Sequence, residues 1–189
     1  MPEVELSARY RQVEYIQSTG KEYIDTGFKG NTTKTRFVGQ FTPAGTSTAA
    51  FAVFGSRNTA GTVNDSNMNV FWYKNNGIRL DYLAATTYSN NAPAGKMFTI
   101  DIMRPKAIVN GVVTTGSNTK SVDNQNNFYI GNLSNGSAAP YTEGFQGSIH
   151  TCQLYHNDVC VRNYVPVLRK VDGAYGLYDM VTGEFYGNA

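Results

Sequence analysis

Hydrophobic and polar residues alternate in short runs along most of this chain. Residues 98–102 read Phe-Thr-Ile-Asp-Ile, and residues 35–41 form a similar run that Pro43 closes. Such alternation predicts half-buried β-strands, because successive side chains of a strand point to opposite faces. No stretch of ten or more residues has the 3.6-residue apolar spacing of an amphipathic helix. Residues 48–54 come nearest, and their composition suits a strand equally well.

Turn residues separate the runs and indicate hairpins. Asn110-Gly111 and Asn157-Asp158 are pairs that accept positive φ and suit two-residue hairpin loops, and residues 75–77 read Asn-Asn-Gly. The other predicted strands lie at residues 13–17, 23–27, 69–73, 78–83, 128–132, 145–155, 159–165, 175–179 and 184–186. About a dozen strands with frequent turns and no helix between them predict an all-β fold, a two-sheet antiparallel jelly-roll sandwich.

Length and charge narrow the classes of function. A chain of 189 residues fits one domain, which we place at residues 9–189 after an N-terminal arm or frayed end at residues 1–8. Charged residues make up 16% and the net charge is +2, with the basic residues scattered. This pattern predicts no nucleic-acid partner. We expect no membrane insertion and no secretory signal, because no apolar run approaches ~20 residues and the N-terminus lacks an apolar core region.

Two cysteines flank the predicted turn at Asn157-Asp158. A two-residue loop places Cys160 opposite Tyr155 and Cys152 opposite Asn163. The two sulfur atoms then point to different faces of the hairpin, which predicts no disulfide. Two cysteines that do not belong to a nearby quartet of His and Cys ligands also predict no metal site.

Two local motifs carry a resemblance to a known family. Residues 13–27 read Val-Glu-Tyr-Ile-Gln-Ser-Thr-Gly-Lys-Glu-Tyr-Ile-Asp-Thr-Gly, and residues 176–186 include Gly-Leu-Tyr-Asp and Thr-Gly-Glu-Phe-Tyr. Between them, residues 109–112 read Val-Asn-Gly-Val, where laminin-G-like domains often have Val-Asp-Gly. From Arg9 onward the chain resembles the laminin-G-like, concanavalin A-like lectin jelly rolls found in bacteriophage structural proteins and gut-bacterial surface proteins.

The resemblance implies a binding or structural role. We expect a phage virion protein on the virion surface, as a capsid decoration, fibre or adhesin module. Its partners would be other virion proteins or copies of itself, together with host cell-surface polysaccharide. The alternative is a free-standing carbohydrate-binding or adhesion module of a bacterium. The two settings share the lectin-like domain and differ in whether an assembly surrounds it.

Enzymatic function is not expected. Glycosidases of this fold carry Glu-x-Asp-x-x-Glu or Glu-x-Asp-x-Glu, whose carboxylates share one strand face. The chain has no such triplet, and the spacing of Glu22 and Asp25 places these two carboxylates on opposite faces. The sequence therefore predicts no catalytic residues.

Aromatic residues provide the main candidate for ligand binding. Trp72 and Tyr73 are adjacent on a predicted strand, so one of them faces outward. An outward aromatic ring beside Asn75, Arg79 and Asp81 could stack on a sugar while the polar groups bind its hydroxyls. The alternative is that Trp72 is a core residue and that Tyr73 is a cross-strand partner of Ile78 or Leu80.

No cofactor is expected. Residues 65–69 read Asp-Ser-Asn-Met-Asn like the start of a calcium loop. The sixth position is Val70 instead of glycine, and the twelfth is Asn76 instead of glutamate. The resemblance to laminin-G-like domains, which can bind calcium at loop edges, points to Asp65 or Asp123 as the ligands of any such site. The motif itself is incomplete.

Overall fold

The computed structural model describes residues 6–45, 49–57, 67–73, 77–81, 87–89, 91–136 and 141–187. Within these ranges the chain forms sixteen strands and no helix, which confirms the all-β prediction. In chain order they are β1 (Tyr10–Gln12), β2 (Ile16–Thr19), β3 (Ile24–Asp25), β4 (Thr35–Pro43), β5 (Ala50–Ser56), β6 (Met68–Tyr73), β7 (Gly77–Leu80), β8 (Thr87–Ser89), β9 (Phe98–Met103), β10 (Lys106–Val109), β11 (Val112–Thr115), β12 (Tyr129–Ile130), β13 (Gln146–His156), β14 (Val159–Arg169), β15 (Tyr175–Asp179) and β16 (Glu184–Tyr186). The part of the chain that the structure describes contains no helix able to cross a membrane.

The strands form two sheets, and every pairing between named strands is antiparallel. The large sheet runs β11-β10-β9-β4-β13-β14-β15-β16, with β1 beside β14 and β2 beside β13. The small sheet runs β3-β12-β5-β6-β7-β8. The prediction of a two-sheet antiparallel sandwich is confirmed.

The core lies between the two sheets and is rich in aromatic rings. The rings of Phe37 in β4 and Phe54 in β5 stack with centroids 3.8 Å apart and 5° between their planes. In β5, Val53 is an extra residue relative to β6. This bulge allows Phe51, Val53 and Phe54 all to join the core cluster, although strict alternation would turn one of them outward.

A second apolar cluster covers part of the outer face of the small sheet. Its buried members are Ala50, Ala52, Phe71 and Leu133. The segment that follows β12 crosses this face, and the N–H of Ala52 donates to the carbonyl of Glu143 at 2.8 Å. β5 is therefore buried on both faces, which explains why residues 48–54 show no clear polar alternation.

Two hairpins have the two-residue turns that the sequence predicts. Asn110 and Gly111 have φ values of 47° and 80°, and Asn157 and Asp158 have φ values of 49° and 62°. Positive φ at both central positions is the type I′ geometry, whose twist matches that of the flanking strands.

The β13–β14 hairpin contains a bulge that changes the neighbour of Cys152. Val161 is an extra residue on β14, so Cys152 lies opposite Tyr164 and not Asn163. The predicted partner of Cys152 is therefore wrong, because a bulge shifts all pairing beyond it by one residue. Both cysteines are free. Cys152 is fully buried, and Cys160 is half-buried.

β1 and β2 lie beside the parts of β14 and β13 that do not pair with each other. β2 pairs with residues 146–149 of β13, whereas β1 pairs with residues 167–169 of β14. The backbone N–H of Lys170 donates to Arg9 and its ammonium group donates to Ala8, both at 2.9 Å. Residues 1–5 of the predicted arm lie outside the described residues, and the domain boundary at Arg9 stays a prediction. β1 and β2 leave a concave surface beside β15 and β16.

Candidate functional site

Trp72, the aromatic residue singled out from the sequence, belongs to the core. Its side chain is 0% exposed, and its indole N–H donates to the carbonyl of Ala92 at 2.8 Å. The indole also stacks on Phe51, with centroids 6.0 Å apart. The ring therefore has no face available for a sugar, which corrects the stacking role considered above and agrees with the alternative that Trp72 is a core residue. Tyr73 lies opposite Gly77 of β7, so its predicted partners Ile78 and Leu80 are wrong.

The polar residues of that predicted site interact with one another. The Arg79 guanidinium donates to both carboxylate oxygens of Asp81, at 2.9 and 2.6 Å, and it lies over the ring of Phe71 at 4.6 Å. Asp81 is buried and Tyr73 is half-buried. Asn75 lies outside the described residues. The Arg79–Asp81 ion pair therefore has a structural role, and sugar binding at this surface stays a prediction.

A groove opens along β2, beside the end of the small sheet that β3 and β12 form. It consists of two adjoining hollows of about 470 and 430 Å³. The larger hollow reaches down to the core residues Ile24, Ile130 and Ile149. Its rim carries four aromatic residues, which are Tyr23, Tyr175, Phe185 and Tyr186. We call this surface the β2 groove; an apolar floor with a polar and aromatic rim is typical of small-ligand sites.

Glu22 provides a fixed carboxylate at the larger hollow. It accepts hydrogen bonds from the backbone N–H of Thr19 at 2.7 Å and from the Thr19 hydroxyl at 2.9 Å. Partial burial acts to raise the pKa of Glu22. The bonds from Thr19 and from the backbone N–H groups of Lys21 and Glu22 outweigh that effect and lower it. Glu22 is thus an ionised acceptor whose position is set by the turn after β2.

Arg169 is the basic residue of the larger hollow. Its guanidinium lies over the ring of Phe185 at 4.3 Å and donates to Asp172, with the shortest contact at 2.6 Å. The ring of Tyr10 in β1 also stacks on the ring of Phe185, with 5.6 Å between the two centroids. The charge of Arg169 is therefore offset by Asp172. The Arg169 side chain itself forms part of the rim, next to Phe185.

Sequence reasoning did not find the β2 groove. Its residues come from segments that are far apart in sequence, including 16–24, 130, 149 and 169–187. The motifs at both ends of the chain were visible as family resemblance, and the structure brings them together at this groove. Tyr15 (44% exposed) belongs to the first motif and Tyr175 (59% exposed) directly precedes the second, so these two tyrosines were the available signal.

No protein-family model matches the chain, and no curated protein matches it in sequence. Solved structures do match. A sialidase of Trypanosoma rangeli in complex with sialic acid is 12% identical, with a TM-score of 0.54 over 82% of this chain and 27% of the sialidase. A heptameric SAP-like pentraxin of Limulus polyphemus is 9% identical, with a TM-score of 0.50 over 83% of this chain and 80% of the pentraxin.

The chain is a concanavalin-like jelly roll. Mouse laminin α1 domains LG4-5 also match, with 11% identity and a TM-score of 0.43 over 80% of this chain and 42% of the laminin chain. At 12% and 9% identity the likeness to the sialidase and the pentraxin shows the fold alone. The jelly roll spans about a quarter of the length of the sialidase, so that protein's activity is not carried over.

The described residues contain no group of three or more His, Cys, Asp or Glu side chains that could hold a metal ion. Asp123, one residue considered for calcium, accepts a hydrogen bond from the Asn31 side-chain amide at 2.8 Å. Asp65, the other, lies outside the described residues. The structure therefore gives Asp123 a role in joining two loops.

Proposed function

We propose that this protein is a non-catalytic carbohydrate-binding module and that the β2 groove is its binding site. The observation that carries the proposal is Tyr175, which is 59% exposed and lines both hollows of the groove. A rigid aromatic ring beside hydrogen-bonding groups can stack on a sugar while those groups bind its hydroxyls. The concanavalin-like fold supports the same function.

The environment of Glu22 supports binding without catalysis. A glycosidase needs one carboxyl group whose pKa is raised so that it can donate a proton. The pKa of Glu22 is lowered instead, by the hydrogen bonds that outweigh its partial burial. An ionised carboxylate suits the acceptance of sugar hydroxyl groups. A reducing-sugar assay on any bound polysaccharide tests this part of the proposal, and sugar release would overturn it.

A glycan array followed by calorimetry on the best ligand tests the binding site. Tyr175→Ala should weaken binding about tenfold, the effect of losing one well-stacked ring. Val159→Ala is the matched control, because Val159 is similarly exposed (57%) and lies on the β13–β14 hairpin. Tyr73→Ala tests the surface predicted from the sequence. A loss at Tyr73 with none at Tyr175 would move the site to that surface.

We further propose the setting that the family resemblance implies, a structural component of a phage particle that displays this module on the virion surface. Its partners there are other virion proteins or copies of itself, and host polysaccharide is the external ligand. Mass photometry of the purified protein and labelling of purified particles test this setting. A strictly monomeric protein that is absent from particles would favour the free-standing bacterial module.

A further inference from the structure

The two hollows of the β2 groove are continuous. Ile16, Gln17 and Tyr175 line both of them. The larger hollow continues to Tyr23, whose ring stacks on Tyr129 with 4.7 Å between centroids. The smaller hollow continues to Tyr15. Each hollow thus has an aromatic ring of its own, and Tyr175 lies where the two hollows meet, so the groove has more than one place where a sugar ring can stack.

The ring of Tyr15 in the smaller hollow is supported by a neighbouring side chain. The ring of Tyr15 is 44% exposed and lies 5.5 Å from the ring of His150, tilted by 60°. A supported but exposed ring loses little side-chain entropy when a ligand stacks on it. Tyr15 therefore provides a second stacking surface, separate from Tyr175.

The backbone of β2 adds hydrogen-bonding groups between these rings. Among the described strands, β2 pairs only with β13. The N–H of Thr19 donates to Glu22, so it points away from β13. In an antiparallel strand the N–H and C=O of alternate residues share one edge, which places those of Gln17 on that same edge. The Gln17 side chain is held beside the junction by a hydrogen bond from Ser148 at 3.1 Å.

The charges of the groove disfavour an anionic ligand. Its charged lining residues are Glu22 and Arg169 in the larger hollow and Glu14 in the smaller one. Arg169 is paired with Asp172, so the remaining charge of the groove is negative. A polyanionic chain would be repelled, because like charges without compensation oppose association.

From these observations we infer that the β2 groove binds an internal stretch of a neutral, linear polysaccharide, with separate subsites at Tyr15 and Tyr175. The inference rests on the proposed carbohydrate-binding function and adds the ligand's length and charge. The larger hollow and Tyr175 bind the first units. The smaller hollow and Tyr15 bind the units that follow, along the edge of β2 that faces away from β13.

Calorimetry with oligosaccharides of increasing length tests the inference. The neutral probes are cello-, malto- and chito-oligosaccharides of two to six units, and the anionic probes are oligogalacturonates of matched lengths. For the neutral series that binds, we expect affinity to rise about tenfold between the shortest and the longer members. Tyr15→Ala should abolish this gain and leave the affinity for the shortest member within about twofold of the wild type.

Two variants keep the test independent of folding. Tyr15→Phe retains the ring and should retain the gain with length, whereas Val159→Ala should behave as the wild type. Equal affinity for short and long members, or stronger binding of the anionic series, would overturn the inference and leave the proposed function in place. No binding of any series at any length would overturn the proposed function, and the inference with it.

Discussion

The rings of Phe37 and Phe54 stack 3.8 Å apart and join the large sheet to the small one. Phe54 reaches this position because the bulge at Val53 turns it inward. Phe54→Ala should lower the free energy of unfolding by about 3–5 kcal/mol, since it removes a buried ring and leaves a cavity. Chemical denaturation followed by circular dichroism measures the change. Val159→Ala, at an exposed site, should change it by less than about 0.5 kcal/mol, and an equal loss in both variants would contradict the assigned packing.

Asp179 stabilises the C-terminal strands through buried polar contacts. Its carboxylate accepts from the N–H of Asn163 at 2.8 Å and lies 3.5 Å from the Arg162 guanidinium. Asp179→Asn should lower the free energy of unfolding by about 2–4 kcal/mol, because it leaves Arg162 without its buried carboxylate. The control is Asp172→Asn, which removes a solvent-exposed partner of Arg169 and should change stability little. Equal stability of the Asp179 variant and the wild type would contradict this role.

The two cysteines should differ strongly in reactivity. Burial raises the pKa of the Cys152 thiol well above its usual value and raises that of Cys160 less. Because the thiolate is the reactive form, we expect a disulfide reagent at pH 8 to modify Cys160 slowly in the native protein. Cys152 should react only after unfolding. Cys160→Ser should leave the native protein unreactive, and rapid reaction of two thiols without denaturant would contradict the structure.

Glu22 should give stability a small dependence on pH. Its folded pKa is lowered, with partial burial outweighed by hydrogen bonds from Thr19 and neighbouring backbone groups. The contribution is therefore present above the unfolded value of ~4.3 and is lost as the pH falls through the folded pKa. Glu22→Gln should lower the free energy of unfolding at pH 7 by less than about 1 kcal/mol.

Denaturation curves of Glu22→Gln and the wild type at several pH values measure this effect. The difference between the two proteins should disappear at the acidic end of the series. Glu14→Gln is the control, because Glu14 is exposed and should show no comparable change. A difference that grows on acidification would contradict the hydrogen bonds assigned to Glu22.

Local signals predicted much of the fold. Alternation identified β9, and the Asn110-Gly111 and Asn157-Asp158 pairs identified two type I′ turns. These signals are readable because a half-buried strand and a two-residue turn each depend only on residues that are adjacent in sequence. The bulges at Val53 and Val161 were not predictable, since each depends on the partner strand. The burial of Trp72 likewise depends on which face of β6 meets the large sheet, and the sequence left both possibilities open.

The candidate site could not be predicted in the same way. The β2 groove brings Gln17 and Glu22 next to Tyr175, which lies more than a hundred and fifty residues further along the chain. No spacing rule connects such distant positions, because their proximity follows from the crossing of β1 and β2 between β13 and β14. The aromatic pair at Trp72 and Tyr73 can be recognised in the sequence because the two residues are adjacent.

Trp72 is the single tryptophan of the chain, and its ring is sealed inside the sandwich. Its intrinsic fluorescence will report when the two sheets separate and will stay nearly constant while a ligand occupies the β2 groove, which Trp72 does not line. Tryptophan fluorescence therefore reports whether the protein is folded, independently of whether a ligand is bound. A variant that has lost only ligand binding can thus be distinguished from a variant that is unfolded.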